Sequence, residues 1–123
     1  MNEHTIRQAA ERYFSLISGD AASYADQLAP LVRLEDADGM IYNGRDSVIM
    51  YNAAWISAYQ SIKFTVDRIT ISHDQAALRW KAKGVTCTGH RAVFGGITIL
   101  RFDPAGRIRA IRQYQTQVLA QSA

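Results

Sequence analysis

Residues 76–117, AALRWKAKGVTCTGHRAVFGGITILRFDPAGRIRAIRQYQTQ, decide the fold. Within Ala76–Thr88 the apolar Leu78, Trp80 and Ala82 alternate with Arg79, Lys81 and Lys83. That period of two marks a strand with one dry and one wet face. Arg91–Phe102 is the most apolar run and is expected to lie centrally, buried on both faces. Asp103-Pro104-Ala105-Gly106 sets proline and glycine where a tight turn uses them, and Arg107–Gln117 reads as the last strand. Just upstream, Ile62–Ser72 changes period between Val66 and Ile69, which predicts a bulge near Asp67-Arg68, and His73-Asp74-Gln75 is a short turn. Four consecutive strands joined by short turns predict an antiparallel sheet.

The first half of the chain has the other period. From Thr5 to Ser18, the positions Ile6, Ala9, Ala10, Tyr13, Phe14 and Ile17 recur at spacings of three and four, one face of a helix that Ser18-Gly19 ends. Asp20 can cap a second helix through Leu28, stopped before Pro30. Leu31–Glu35 reads as a short strand and Asp36–Gly44 as a loop. Asp46 or Ser47 can cap a third helix, in which Val48, Tyr51, Trp55 and Tyr59 share a face. The expected class is α+β, with three N-terminal helices packed on one face of a strongly curved, mainly antiparallel sheet. No repeat or linker interrupts it, so residues 1–123 are expected to form one domain.

Composition narrows the function classes. With 48% hydrophobic and 20% charged residues the chain can bury a core. Cys87 is alone, which excludes an internal disulfide; in a strand it serves most simply as a small apolar residue. The longest apolar run, Val93–Leu100, is broken by Gly95 and Gly96, so no membrane span is expected. The polar start shows no secretory signal, and a reduced, cytoplasmic protein is expected. Residues 1–60 carry an excess of four negative charges and residues 61–123 an excess of seven positive ones. The cations alternate with apolar residues rather than forming a basic run, so neither nucleic acid nor membrane is expected as a partner. His4, His73 and His90 lack ligand spacing, and Arg45 stands where a calcium loop would need a bidentate Glu, so no metal is expected.

The acidic stretch Glu35-Asp36-Ala37-Asp38 sits where a strand ends and a loop begins, beside aromatic helix faces. A carboxylate projecting from there into the hollow between helices and sheet suits a general base that removes a proton next to a carbonyl. Three solvated loop acids would satisfy the same spacing.

Several short motifs occur in an order that resembles the nuclear transport factor 2-like superfamily. They are Arg12-Tyr13-Phe14, Ser18-Gly19-Asp20, Leu34-Glu35-Asp36-Ala37-Asp38-Gly39, Asn43-Gly44-Arg45-Asp46-Ser47-Val48, and Leu100 through Ile108 around the last turn. They run from residue 5 to 116, and within the superfamily the chain is similar to ketosteroid isomerases and SnoaL-like polyketide-cyclase-like proteins. The resemblance implies a cystatin-like cone. It puts Asp36 on the position of the proton-shuttling carboxylate, after the matching Glu35, and Tyr13 on that of the oxyanion-hole tyrosine, after the matching Arg12. Thr98 occupies the place of a second donor, a protonated aspartic acid in the isomerases, and Asn52 that of a supporting tyrosine.

Counting inward positions from Thr98 adds Phe94, Gly96, Leu100 and Phe102 to the pocket, with Leu78, Trp80, Ala82 and Gly84 from the preceding strand. The last strand would offer Ile111, Gln113 and Gln115, and the third helix Tyr51 and Trp55. Two glutamines imply a ligand with hydrogen-bonding groups, or bound water, rather than a plain hydrocarbon core. The implied chemistry is cofactor-free proton abstraction alpha to a carbonyl, on a small polycyclic or aromatic ketone, leading to isomerisation or aldol-type cyclisation. A non-catalytic domain that binds a small molecule is the alternative. Val85, Val93, Ile97 and Ile99 fall on the opposite parity, which suits a homodimer formed sheet to sheet.

Overall fold

The computed structural model describes residues 2–116 and 119–121. Helix α1, Glu3–Ile17, is capped by Asn2, whose side chain accepts from the Thr5 amide at 2.9 Å. The six apolar positions of its expected face, from Ile6 to Ile17, are all buried. Helix α2, Ala21–Gln27, begins at Asp20, which caps Ser23. Strand β1, Leu28–Glu35, starts earlier than its apolar run suggested, because Leu28 pairs with Ile108 across a register shift that leaves Pro30 outside the ladder. Strand β2, Ile41–Asn43, folds back on β1 within the stretch expected to be loop.

Helix α3, Arg45–Ile56, opens at Gly44 with φ 90° and no side-chain cap, so neither Asp46 nor Ser47 caps it. The Arg45 guanidinium instead ties this end to β1 by donating to the Leu28 carbonyl at 2.7 Å. Tyr59, expected on the same helix, opens strand β3, Tyr59–Ser72. The register of β3 shifts between Val66 and Arg68, where the bulge was expected. Strands β4, Gln75–Thr86, β5, Arg91–Phe102, and β6, Ile108–Gln115, follow. Cys87 lies just past β4 and is exposed, not within a strand. Thr116 leaves the ladder by bonding Gly95, and a further strand, β7, Leu119–Gln121, pairs with β5. Gln117, expected to end the last strand, lies outside the described residues.

The sheet order is β2-β1-β6-β5-β4-β3, with β7 beside β5. Every described pairing is antiparallel except β1 with β6, which run parallel. The helices cover one face only. Strand β5 is therefore not buried on both faces: Ala92, Phe94, Thr98, Leu100 and Phe102 are buried, while Arg91, Val93, Ile97 and Arg101 are exposed on the uncovered side. The dry row of β4, Leu78, Trp80 and Ala82, packs with α1 into one core that also holds Leu100, Phe102 and Ile111. No helix among the described residues is long and apolar enough to cross a membrane.

Candidate functional site

Apart from Gln113, the buried polar groups of the interior form two short chains, each beginning at an indole. In the first, Trp55 Nε1 donates to Asn52 Oδ1 at 3.0 Å, and Asn52 Nδ2 donates to Tyr24 Oη at 2.8 Å. Tyr24 Oη lies 3.3 Å from Tyr13 Oη. An indole N–H can only donate, so it makes Oδ1 the accepting atom of Asn52 and leaves Nδ2 to donate. A hydroxyl oxygen can accept twice, so Tyr24 can take the Asn52 amide proton and still either donate to Tyr13 or accept from it. The two hydroxyls share a single contact, so one of their two protons has no acceptor among the described residues. In the second chain Trp80 Nε1 donates to Thr98 Oγ1 at 3.0 Å, which leaves the threonine proton free to donate in turn.

Local structure explains why these groups meet. Tyr13 is on the buried face of α1; Tyr24 is the one large side chain of α2. Asn52 and Val48 are the buried residues of α3. Trp80 lies opposite Gly96, where an added Cβ would collide with the Tyr114 carbonyl and the Trp80 ring, so no other residue fits without displacing the indole. Phe14 and Phe94 hold the indole at ring-centroid distances of 5.3 and 5.8 Å.

Electrostatics keeps the hydroxyls protonated. Burial pushes Tyr13 up to about 12, against the opposing effect of hydrogen bonding from Tyr24 and Asn52. Tyr24 is pushed well above the ordinary tyrosine value by burial first, then by its neighbour Tyr13. Tyr51 is raised far as well, by burial first and then by the Asp36 carboxylate, with Tyr42 and Tyr13 adding smaller effects. Tyr51 therefore stands within the electrostatic reach of both Asp36 and Tyr13, and its ring packs on Tyr42 at 4.6 Å.

Asp36 is half-buried at the end of β1. Its Oδ1 accepts from the backbone amides of Asp38 and Met40, both at 2.9 Å, and so closes the turn into β2. Oδ2 makes no hydrogen bond among the described residues. Tyr13 and Thr98 are fully buried. Trp80, Leu100, Phe102 and Ile111 belong to the same core, with half-buried Tyr51 and Trp55 packed against it. Gln113 is buried directly across from Thr98, while Gln115 shares its parity but sits on the exposed end of β6, outside the enclosed interior.

Sequence reasoning missed Tyr24 and Tyr42. A lone large residue in the short helix AASYADQ was the available signal for the first. No sequence signal marked Tyr42, which lies in the stretch read as loop and is placed by the short strand β2.

No curated protein matches this chain in sequence. Among solved structures it is similar to the epoxide hydrolase/cyclase-like enzyme SalBIII of salinomycin pyran-ring formation, with TM-score 0.80, 13% identity and 97% of each chain covered. A proposed SnoaL-like polyketide cyclase from Jannaschia sp. CCS1 matches with TM-score 0.77 and 14% identity, over 91% of this chain and 83% of that one. An NTF2-like protein of unknown function from Exiguobacterium sp. 255-15 matches with TM-score 0.77 and 18% identity, over 89% and 98%. At such identities these neighbours speak for the fold. The family model of the SnoaL-like domain matches residues 10–111, a span from α1 to β6 that holds Tyr13, Asp36, Asn52 and Thr98, and the chain belongs to the SnoaL-like domain family.

Proposed function

We propose that this chain takes a small polycyclic or aromatic ketone into its cone and removes a proton alpha to the carbonyl with its own acid–base groups. Asp36 Oδ2 accepts the proton, the C–H electrons move into the new enolate, and the carbonyl oxygen gains the negative charge. Tyr13 donates to that oxygen, with Thr98 as a second, weaker donor. Returning the proton at another carbon completes an isomerisation; attack of the enolate on a second carbonyl, with the proton passed to the new alkoxide, completes an aldol-type cyclisation.

The observation that carries this reading is the chain from Trp55 through Asn52 to the paired hydroxyls of Tyr24 and Tyr13, a buried pair with one more proton than it has acceptors among the described residues. A buried donor without an acceptor is costly, and a ligand oxygen would relieve it.

The test is a kinetic comparison of Asp36→Asn and Tyr13→Phe. Asp36→Asn is expected to abolish turnover while leaving the fold intact. Tyr13→Phe should lower kcat by about a hundredfold with little change in KM, because an oxyanion donor acts in the transition state. Equal losses of affinity and rate would make Tyr13 a plain positioning group.

The turn bonds on Asp36 Oδ1 favour a second reading, in which Asp36 shapes the β1–β2 turn and the cone binds its ligand without turnover. On that reading Asp36→Asn changes affinity alone. Either function is compatible with a homodimer formed sheet to sheet around the exposed Val93 and Ile97, which sedimentation at micromolar concentration would show.

A further inference from the structure

The uncovered face of the sheet carries a cleft whose lining includes neither Asp36, Tyr13 nor Thr98. The sheet register lines up Arg33 on β1, Ala110 on β6 and Arg101 on β5 as direct neighbours, with Gln75 on β4 next in the row. Two strand spacings, about 9.5 Å, separate the arginine backbones, and between them stands only a methyl group. The result is a cleft of about 300 Å³ that Ile99 and Arg112 also line. Arg112 is held to one side by Glu35 at 3.0 Å and by the Tyr114 ring, 5.3 Å from its guanidinium carbon. Asp74, within electrostatic reach of Arg101, is already paired with Arg109 at 3.1 Å. Among the described residues neither Arg33 nor Arg101 has a hydrogen-bond or carboxylate partner.

From this geometry we infer an oxyanion site in which Arg33 and Arg101 donate from opposite sides to one phosphate group. Planar guanidinium forks suit tetrahedral phosphate oxygens, and Gln75 adds an amide donor along the same row. Charge decides between anions. The cleft's three arginines against Glu35 leave a surplus of two positive charges, which matches a phosphate monoester at neutral pH better than a single carboxylate.

The test is an NMR titration of the arginine side-chain Nε–H groups of the full chain at constant ionic strength, with inorganic phosphate, methyl phosphate and acetate. Saturable shifts confined to Arg33 and Arg101, with phosphate tighter than acetate, are expected. Methyl phosphate binding as well as the inorganic ion would identify a phosphate carried on a larger molecule; binding of the inorganic ion alone would identify the free ion. Arg33→Gln and Arg101→Gln, both at exposed positions, should each weaken binding about tenfold or more, and Lys83→Gln on the same face should leave it unchanged. Linear shifts spread over the whole basic face, acetate equal to phosphate, or an equal loss in Lys83→Gln would overturn the site.

Discussion

One strand shows how differently the two faces of this sheet are built. On β4, Leu78, Trp80 and Ala82 turn inward and are buried, while Arg79, Lys81 and Lys83 turn outward and are exposed. Inside, polar groups are few and the donors are arranged in sequence, from indole to amide to hydroxyl. Outside, cations stand close together with little to neutralise them. Lys63 lies directly across from Lys83, and Arg68 across from Arg79, where only the Asp67 contact at 2.8 Å offsets the repulsion. The inner face is organised by donor direction and the outer by unbalanced charge. The first needs precise packing to hold it, whereas water and salt moderate the second.

The largest effect that would sharpen this contrast comes from Trp80→Ala. It removes the ring packed among Phe14, Phe64 and Phe94 and the donor to Thr98, and should cost about 3–5 kcal/mol in chemical denaturation. A loss near that of a surface substitution would mean that the interior is not rigidly packed. Next in size is Asn52→Leu, which leaves the Trp55 N–H without its acceptor and Tyr24 without its donor, at a cost of about 2 kcal/mol. The same variant should lower kcat through Tyr13 without touching the ligand, and unchanged kcat would separate the chain from the chemistry.

Alkaline pH probes the inner face in another way. Tyr13 is held near 12 in the folded chain against the ordinary tyrosine value of 10.0, so the folded state retains a proton that the unfolded state releases. Stability from this group is present below pH 10 and is lost as pH rises through 12. Tyrosinate absorbance should show Tyr13 and Tyr24 ionising only with unfolding, and Tyr13→Phe should shift that transition upward. Ionisation in the folded state near the ordinary value would contradict the burial argument.

The smallest effects belong outside. Lys83→Thr removes one partner of a like-charge pair and should stabilise by a few tenths of a kcal/mol, more at low salt than at high. Glu35→Gln removes the charge that Arg112 pairs with and should cost under about 1 kcal/mol. An outer-face change as large as Asn52→Leu would erase the distinction between the faces.

Local periodicity carried much of this architecture. The face of α1, the parity of β4 and the bulge before Arg68 were legible because each follows from spacing within one element. The parallel pairing of β1 with β6 was not, since it joins segments some eighty residues apart. The apolarity of Val93 and Ile97 suggested burial on both sides of β5, yet three helices cover only one face. The candidates Asp36 and Tyr13 come from local motifs. The pairing of the Tyr13 hydroxyl could not be read that way, because it depends on Tyr24 from α2 and on Asn52 and Trp55 from α3 meeting in space.

The most direct measurement is proton–deuterium exchange followed by NMR, on a panel of enones, ketosteroids and polyketide-like diketones, with wild type, Asp36→Asn and Tyr13→Phe side by side. Exchange alpha to the carbonyl of at least one compound is expected, abolished by Asp36→Asn and slowed about a hundredfold by Tyr13→Phe. Compounds that bind, as seen in shifted protein resonances, but never exchange in the wild type would contradict it.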